Sequence, residues 1–249
     1  MGAQVSIILP NYNSSKTIIP TINSILNQSY KNWELFIVDD CSNIETKKNL
    51  SKFNKIKKIK IFYLKKNKGA AYCRNLAIKK SKSNYLAFID SDDLWKKNKL
   101  KLQINFMKKH NHLFTYTHYK TFKVKYPMRK NITTANKFNF ESFVRNTSIA
   151  TSTMVVKRSI TNNIKFANTK ICEDYFFKCH LLKKIRYAYC CPYYLTEYQI
   201  RKNSLQSSRI RNLYWIWKIN KNLNNFNFFK NLVSVFFISL NSIKKYGFR

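Results

Sequence analysis

The stretch Tyr85-Leu-Ala-Phe-Ile-Asp-Ser-Asp-Asp93 joins an apolar run to a cluster of aspartates. Such a run is typical of a buried strand, and in open α/β sheets ligands bind beyond the carboxyl ends of the strands. The same arrangement occurs earlier, in Leu35-Phe-Ile-Val-Asp-Asp40. The remaining aspartate, Asp174, stands beside Glu173. Because carboxylates that merely decorate a surface would be scattered, this clustering predicts a site for a metal ion, a polyol and a proton transfer.

Strand-like and helix-like segments alternate over residues 1–110. The predicted strands are 5–9, 33–38, 60–64 and 85–89, and the predicted helices are 17–28, 70–80 and 96–110. Alternation at this spacing predicts right-handed crossovers and a mostly parallel, Rossmann-like α/β sheet flanked by helices.

The pattern changes twice further along the chain, which predicts its domain organisation. After about residue 112 it loosens into short aromatic runs, and from residue 209 it becomes helical. We expect one domain over residues 1–208, composed of two halves, 1–110 and 111–208. Residues 209–249 are expected to form a C-terminal helical extension.

The charge of the chain is strongly positive, with 47 Lys and Arg against 11 Asp and Glu and a formal net charge of +36. Clustered cations of this kind suggest nucleic-acid binding, because they release counterions from phosphates. The lysines are, however, spread along the whole chain, and the richness in Lys, Asn, Ile, Phe and Tyr is what AT-rich coding produces. We therefore expect no specific nucleic-acid partner, although such a surface is attracted to anionic membranes.

The cysteines and the N-terminus predict a cytoplasmic location. The 6 cysteines contain no C-x-x-C pair and no regular disulfide framework, so we expect reduced thiols. The N-terminus enters a predicted strand at once and lacks the apolar region of a secretory signal. No uninterrupted apolar stretch reaches the roughly 20 residues that a membrane-spanning helix needs.

Gly69 is the one glycine away from the chain ends, in a sequence with only 3 glycines. We expect it there because the backbone adopts a positive φ or approaches another group closely. It opens the predicted helix 70–80, whose first amides, together with Arg74, are candidates for binding phosphate. An ordinary loop-to-helix turn is the alternative.

Several motifs occur in one order between residues 4 and 110. They are Val5-Ser-Ile-Ile-Leu-Pro-Asn-Tyr-Asn13, Ser24-Ile-Leu-Asn-Gln28, Trp33-Glu-Leu-Phe-Ile-Val-Asp-Asp-Cys-Ser42, Asn67-Lys-Gly69, Arg74-Asn75 and Asp90-Ser-Asp-Asp-Leu-Trp95. In order and spacing they resemble the family 2 glycosyltransferases, and Glu173-Asp174 and residues 198–204 extend the likeness to about residue 207. The resemblance is to small bacterial transferases that build lipopolysaccharide, capsule or related surface glycans.

The resemblance implies a GT-A fold, in which residues 1–110 form the nucleotide-sugar-binding half and residues 111–208 the acceptor half. It also implies a UDP-activated sugar as donor and inversion at the anomeric carbon. The implied donor-binding residues are Pro10, Tyr12, Asn13, Asp39, Asp40, Gly69, Arg74, Asp90 and Ser91. Pro10, Tyr12 and Asn13 would line the nucleobase pocket. Either Asp39 or Asp40 would accept the uracil N–H.

The resemblance also implies a divalent metal cofactor, Mn or Mg, at a D-x-D element formed by Asp90, Ser91 and Asp92. Asp90 would face the ribose, Asp92 would bind the metal, and Asp93 is a possible substitute for Asp92. Breaking a sugar–diphosphate bond leaves charge on the β-phosphate, which a carboxylate-held divalent cation neutralises. One or two protein carboxylates suffice, since the phosphates supply other ligands.

Inversion in a single displacement requires a base on the face of the sugar opposite the leaving group. The resemblance assigns this role to Asp174, with Glu173 as the second candidate. Alternatively, the two acids simply begin a helix over residues 175–183, where the positive helix end favours them. Trp95 and Arg201 are candidates for contacts on the acceptor side. Trp95 either stacks on the acceptor or packs in the core. Arg201 either contacts the acceptor or approaches the donor phosphates.

These features predict an inverting glycosyltransferase that acts on a hydroxyl of a glycan or a lipid-linked glycan. One alternative is an Asp-dependent phosphotransfer protein, which requires a nucleophilic Asp followed by Thr or Val; residues 90–94 do not fit. The other is a non-catalytic nucleic-acid-binding protein, which explains the charge but none of the motifs.

The C-terminal extension contains a basic amphipathic segment. Its apolar residues on one helical face are Phe229, Leu232, Val233, Phe236, Leu240 and Ile243, with Lys244, Lys245 and Arg249 after them. Such a segment suits the interface of an anionic bilayer, which would place the protein at the inner face of the cytoplasmic membrane, beside a lipid-linked acceptor. Alternatively, the apolar face packs on the catalytic domain.

Overall fold

The computed structural model describes residues 4–123, 126–200 and 208–247. Its first elements are β1 (Val5–Asn11), α1 (Ile18–Leu26), β2 (Trp33–Asp39), α2 (Ile44–Ser51), β3 (Ile59–Tyr63), α3 (Gly69–Lys80) and β4 (Tyr85–Phe88). The strands lie in the order β3-β2-β1-β4, and neighbouring strands are parallel, as predicted. The sequence did not predict α2, because only Thr46 and Leu50 of this helix are buried and no apolar period results.

The later elements extend the same sheet. They are β5 (Leu94–Trp95), α4 (Lys99–Lys109), β6 (Phe114–Lys123), β7 (Tyr126–Ile132), β8 (Lys137–Phe138), α5 (Phe140–Phe143), β9 (Val155–Lys157), α6 (Glu173–Lys184) and β10 (Ala188–Gln199). Within the described residues the strand order is β3-β2-β1-β4-β9-β6-β10-β5, with β7 beside β6 and β8 beside β10. Strand β9 is antiparallel to both β4 and β6. Parallel pairing therefore describes the first half, and the sheet as a whole is mixed.

Strands β1, β2 and β4 are buried on both faces, and their side chains alternate between two hydrophobic cores, whereas β3 is partly exposed. In β1, Ile8 packs into one core, while Ile7 and Leu9 pack into the other. Helices α1 and α4 cover the side of Ile7 and Leu9, and α3 and α6 contribute to the core that contains Ile8. Because helices cover both faces, the open part of this half is the edge where the parallel strands end.

Two helices, α7 (Arg209–Asn222) and α8 (Phe228–Tyr246), follow the sheet. Ile216, Ile219 and Ile238 place them against the core that contains Ile8. The predicted apolar face of α8 does not pack there: Phe229 and Phe236 are exposed. This excludes the packing interpretation for those side chains. None of the helices in the described residues is long and apolar enough to cross a membrane.

Candidate active site

The ends of β1 and β2 are joined by the side chain of Asn11. Its Nδ2 donates to Oδ1 of Asp39 over 2.7 Å, and the Ser42 backbone N–H donates to Oδ2 over 3.1 Å. Asp39 is fully buried, so its carboxylate holds the loop beyond β2. The backbone N–H of Asn13, which has a φ of 45°, donates to Ser42 Oγ over 2.9 Å. Between these residues Tyr12 is exposed and places its ring at the open edge.

Asp40 anchors the loop that precedes α3. Its two carboxylate oxygens accept the backbone N–H groups of Lys68 at 2.7 Å and Gly69 at 2.8 Å. Gly69 has a φ of +85°, and no atom lies within 4 Å of the position that a Cβ would take. Glycine is therefore required for its backbone angle and not for close approach. Asp40 therefore occupies the amides of Lys68 and Gly69, and phosphate binding by the following amides of α3 stays a prediction.

Arg74 connects two parts of the predicted site. Its Nη2 lies 2.6 Å from Oδ1 of Asp90, and its Nη1 lies 2.5 Å from Oε1 of Glu173, which is 99 positions away in the chain. Burial alone would lower the pKa of Arg74, but Asp90 and Glu173 outweigh it and raise that pKa above its ordinary value. Arg74 is thus a permanent cation that holds the D-x-D element beside the start of α6.

The three aspartates after β4 have different environments. Asp90 keeps 31% of its side chain exposed, and Asp92 is half-buried. Asp93 is buried, and its carboxylate accepts hydrogen bonds from the Ser152 hydroxyl and from the Gln199 backbone N–H. Burial, followed by the charges of Asp92 and Asp90, raises the pKa of Asp93. Asp93 therefore joins the D-x-D loop to Ser152 and to the end of β10, and this use of its oxygens argues against its predicted role as a substitute metal ligand.

The acidic pair opens α6, and each acid has its own basic partner. Oδ2 of Asp174 accepts hydrogen bonds from Nζ of Lys178 and from Oγ1 of Thr151, both at 2.7 Å. Burial would raise the pKa of Asp174, but Lys178 outweighs burial and holds this pKa well below its usual range. For Glu173 burial prevails over Arg74, and the pKa is raised. Asp174 is therefore ionised at neutral pH, as a proton acceptor must be.

The chain matches the model of the family described as Glycosyl transferase family 2 over residues 6–176. The protein belongs to glycosyl transferase family 2. One relative is the "Putative teichuronic acid biosynthesis glycosyltransferase TuaG" of Bacillus subtilis (strain 168), 34% identical over 243 residues, with 97% of this chain and 96% of the relative covered. Another is "UDP-Glc:alpha-D-GlcNAc-diphosphoundecaprenol beta-1,3-glucosyltransferase WfgD" of Escherichia coli, 33% identical over 216 residues, with 86% and 84% covered. The prediction of the family from the motifs is confirmed, and the nucleic-acid and phosphotransfer alternatives lose their support.

Solved glycosyltransferase structures share the fold. S. aureus TarS 1-349 in complex with UDP-GlcNAc superposes with a TM-score of 0.74 at 20% identity, covering 97% of this chain and 73% of that chain. The mannosyltransferase PcManGT from Pyrobaculum calidifontis, in complex with GDP-Man and Mn2+, gives a TM-score of 0.71 at 14% identity, covering 100% and 77%. The predicted GT-A fold is confirmed by this likeness.

The other predicted site residues of this family 2 protein occupy different positions. Pro10 is buried within β1 opposite Val38, and Ser91 is half-buried beside Asp90. Trp95 is buried, and its Nε1 donates to the Ser152 carbonyl at 2.8 Å. Packing therefore accounts for Trp95 in this structure, and an acceptor contact of this side chain stays a prediction. Arg201 lies outside the described residues.

Sequence reasoning missed three residues of this glycosyltransferase that position the predicted ones. Lys178 and Thr151 bind Asp174, and Ser152 binds Asp93 while it accepts the Asp90 backbone N–H at 3.0 Å. Lys178 lies four residues after Asp174, the spacing at which helical side chains are neighbours, so this pair was accessible from the sequence. Ser152 and Thr151 carried no such signal.

Proposed function

We propose that this family 2 glycosyltransferase transfers a sugar from a UDP-sugar to a hydroxyl of a lipid-linked glycan, with inversion, in the synthesis of a surface polysaccharide. The single observation that carries the proposal is the bridge from Asp90 through Arg74 to Glu173, because it brings the D-x-D element to the acidic pair. The relative WfgD, which is named for a UDP-Glc donor and a GlcNAc-diphosphoundecaprenol acceptor, supports both the donor class and the lipid-linked acceptor. A lipid-linked acceptor places the enzyme at the inner face of the cytoplasmic membrane.

The nucleobase is assigned to the open edge beyond β1 and β2. The exposed ring of Tyr12 supports stacking, and Pro10 and Asn13 shape the strand end on which it stands. Asp39 and Asp40 are both buried, with 0% and 3% of the residue exposed, so the uracil N–H is assigned to either of these two carboxylates. A carboxylate oxygen has two acceptor sites, so Asp40 can accept a donor N–H and retain its bonds to the α3 amides.

The residues present fit a divalent cation that the donor helps to bind. Among the described residues no three His, Cys, Asp or Glu side chains form a metal site by themselves. Asp92 is half-buried beside the partly exposed Asp90, and one or two carboxylates suit Mg or Mn when phosphates and water complete the shell. A cation bound there neutralises the charge that develops on the leaving diphosphate. We assign Asp92, and not Asp93, to this role.

The reaction we propose is a single displacement. The acceptor oxygen bonds to the anomeric carbon as the bond from that carbon to the β-phosphate oxygen breaks, and UDP departs with the bonding electrons. The hydroxyl proton passes to Asp174. Lys178 and Thr151 orient the Asp174 carboxylate, and Arg74 fixes Glu173 next to it. Attack from the side opposite the leaving group inverts the anomeric configuration.

The donor and the stereochemistry can be tested together. Nucleotide sugars are screened for thermal stabilisation with and without Mn, since a ligand that binds the native state raises the melting temperature. We expect UDP-sugars to stabilise the protein, and to do so more strongly with Mn. The stabilising donor is then offered with GlcNAc-diphosphoprenol, and NMR determines the new linkage. Stabilisation by another nucleotide class would overturn the donor assignment, and a retained configuration would overturn the single displacement.

The base is tested by comparing Asp174→Asn with Glu173→Gln. We expect Asp174→Asn to lower turnover by about 10²–10⁴-fold, the usual contribution of a general base, with UDP binding unchanged. Glu173→Gln should impair activity less, because Glu173 is bonded to Arg74. If Glu173→Gln is inactive and Asp174→Asn is active, the two roles must be exchanged.

A further inference from the structure

Helix α8 packs against the protein through its polar face. Asn231 and Ser234 are buried there. Ser234 Oγ donates to the Val144 carbonyl at 2.6 Å, and Nδ2 of Asn220 in α7 lies 3.1 Å from Asn231 Oδ1 and 3.0 Å from Ser234 Oγ. Buried polar groups require such partners, so this network favours the orientation in which the polar face points inward.

The opposite face of α8 is apolar and exposed, and we call it the α8 apolar face. It consists of Phe229, Leu232, Val233, Phe236 and Leu240. Phe229 is 75% exposed and Phe236 is 57% exposed. An extended apolar patch on a protein surface marks a contact with a partner or a membrane.

Cations predominate beside this face, because the carboxylate of Glu141, which lies near Phe229 and Val233, is paired with Nζ of Lys230 at 2.9 Å. Residues 209–249 contain no Asp or Glu. Lys218 and Lys221 of α7 and Lys244 of α8 are exposed. A helix that combines an exposed apolar face with neighbouring lysines has the chemistry of an interfacial helix, since each cation near an anionic lipid surface adds to the attraction.

We propose that the α8 apolar face docks this protein onto an anionic lipid bilayer. The apolar side chains would enter the boundary between headgroups and acyl chains, and the lysines would meet lipid phosphates. A second copy of the chain is the competing occupant, but at a formal net charge of +36 two copies repel each other, whereas an anionic bilayer attracts each copy. The proposal rests on the proposed function in one respect, because a lipid-linked acceptor lies in the same membrane.

The docking helix is tied to the start of α6, where the acidic pair lies. Tyr175 directly follows Asp174, and its hydroxyl donates to Asn220 Oδ1 at 2.7 Å. Asn220 in turn donates to Asn231 and Ser234 of α8. A bilayer at the α8 apolar face would therefore hold a defined position relative to Asp174, as an enzyme with a membrane-bound acceptor requires.

The test is co-sedimentation of the full chain with phosphatidylcholine vesicles, with and without phosphatidylglycerol. The Phe229→Glu/Phe236→Glu variant is compared with Ile44→Glu/Tyr193→Glu, which makes the same charge change at two exposed apolar side chains outside α8. We expect the wild type and the control to bind the anionic vesicles, less strongly at high salt. The α8 variant should lose about tenfold or more, because burial of one Phe side chain accounts for a factor of that size.

The shift in melting temperature produced by UDP-sugar is measured in all three proteins. An unchanged shift shows an intact donor site, so a failure of docking is distinguishable from a failure of the proposed function. Vesicle binding by the α8 variant equal to that of the wild type would overturn the proposal, as would an equal loss in the control. If the wild type does not bind vesicles but forms a dimer, and the α8 variant stays monomeric, the α8 apolar face contacts a second copy of the chain and the membrane proposal is overturned.

Discussion

Lys178 is the residue whose replacement tests the environment of the proposed base most directly. It is buried on α6, one turn after Asp174, with its Nζ 2.7 Å from Asp174 Oδ2 and 3.1 Å from Thr151 Oγ1. The change Lys178→Met retains an unbranched side chain of helix-favouring character and removes the charge. It leaves the Asp174 carboxylate with the Thr151 hydroxyl but without its cation.

The expected loss of stability follows from the geometry of the pair. At 2.7 Å the attraction amounts to about 6 kcal/mol if the effective dielectric constant is about 20. Removal of one partner of a buried pair typically costs about 3–5 kcal/mol. Since the Asp174 side chain remains 19% exposed, solvent offsets part of this loss. We therefore expect Lys178→Met to lower the free energy of unfolding by about 3 kcal/mol at pH 8.

This loss should depend on pH, with a sign that the structure determines. In the wild type the lowered pKa of Asp174 means that the pair contributes stability above the ordinary Asp pKa and loses it only as pH falls through the lowered value. In Lys178→Met the main group that opposes burial is lost, so the pKa of Asp174 should rise above its wild-type value, although Arg74 and the Thr151 hydroxyl still lower it. The variant then relieves its buried charge by protonation at a higher pH than the wild type, so its deficit in the free energy of unfolding should shrink as the pH falls.

The assay is urea unfolding at several pH values, together with kcat over the same range. On acidification, the kcat of Lys178→Met should begin to fall at a higher pH than the kcat of the wild type, because a protonated Asp174 cannot take the proton from the acceptor hydroxyl. Lys184→Met is the matched control, since it removes an exposed cation from the same helix. A deficit that stays constant with pH, or that equals that of Lys184→Met, would refute the assigned role of Lys178.

Three further outcomes are expected. Asp92→Asn should abolish sugar transfer while the protein stays folded. EDTA should abolish the activity of the wild type, and added Mn or Mg should restore it. Full activity of Asp92→Asn in the presence of chelator would contradict the D-x-D assignment. Gly69→Ala should lower the free energy of unfolding by about 1–2 kcal/mol, measured with urea, because the backbone has a φ of +85° although no atom obstructs a Cβ. Trp95→Phe should lower the free energy of unfolding by about 1 kcal/mol, because the hydrogen bond to Ser152 is lost, and it should leave the KM for the acceptor unchanged. A large rise in that KM would show that Trp95 contacts the acceptor.

The sequence determined those features that depend on neighbouring residues. The apolar runs before Asp39 and Asp90 predicted β2 and β4. The isolated Gly69 predicted either a positive φ or a close backbone approach, and the structure shows the positive φ. Parallel strands end at the same edge of a sheet, so the convergence of these carboxylates also followed from the pattern. The order of the motifs was enough to predict the family.

Other features depended on how distant segments meet. Strand β9 lies antiparallel between β4 and β6, and no period in its short apolar run encodes that direction. Asp93 is buried whereas Asp92 is only half-buried, and this difference between two adjacent residues depends on the tertiary structure. Arg74 binds both Asp90 and Glu173, the latter 99 positions away from Arg74 in the chain, and this bridge exists because α3 and α6 share one core.

Helix α8 shows the same division between sequence and tertiary structure. Its 3.6-residue period determined that Phe229 and Phe236 share a face, but an amphipathic pattern does not specify which face points inward. The tertiary structure places the polar face inward, because Asn231 and Ser234 find partners in Asn220 and in the Val144 carbonyl. The energy of a buried polar group depends on partners that only the assembled fold provides, and for that reason the orientation of α8 was decided by the tertiary structure.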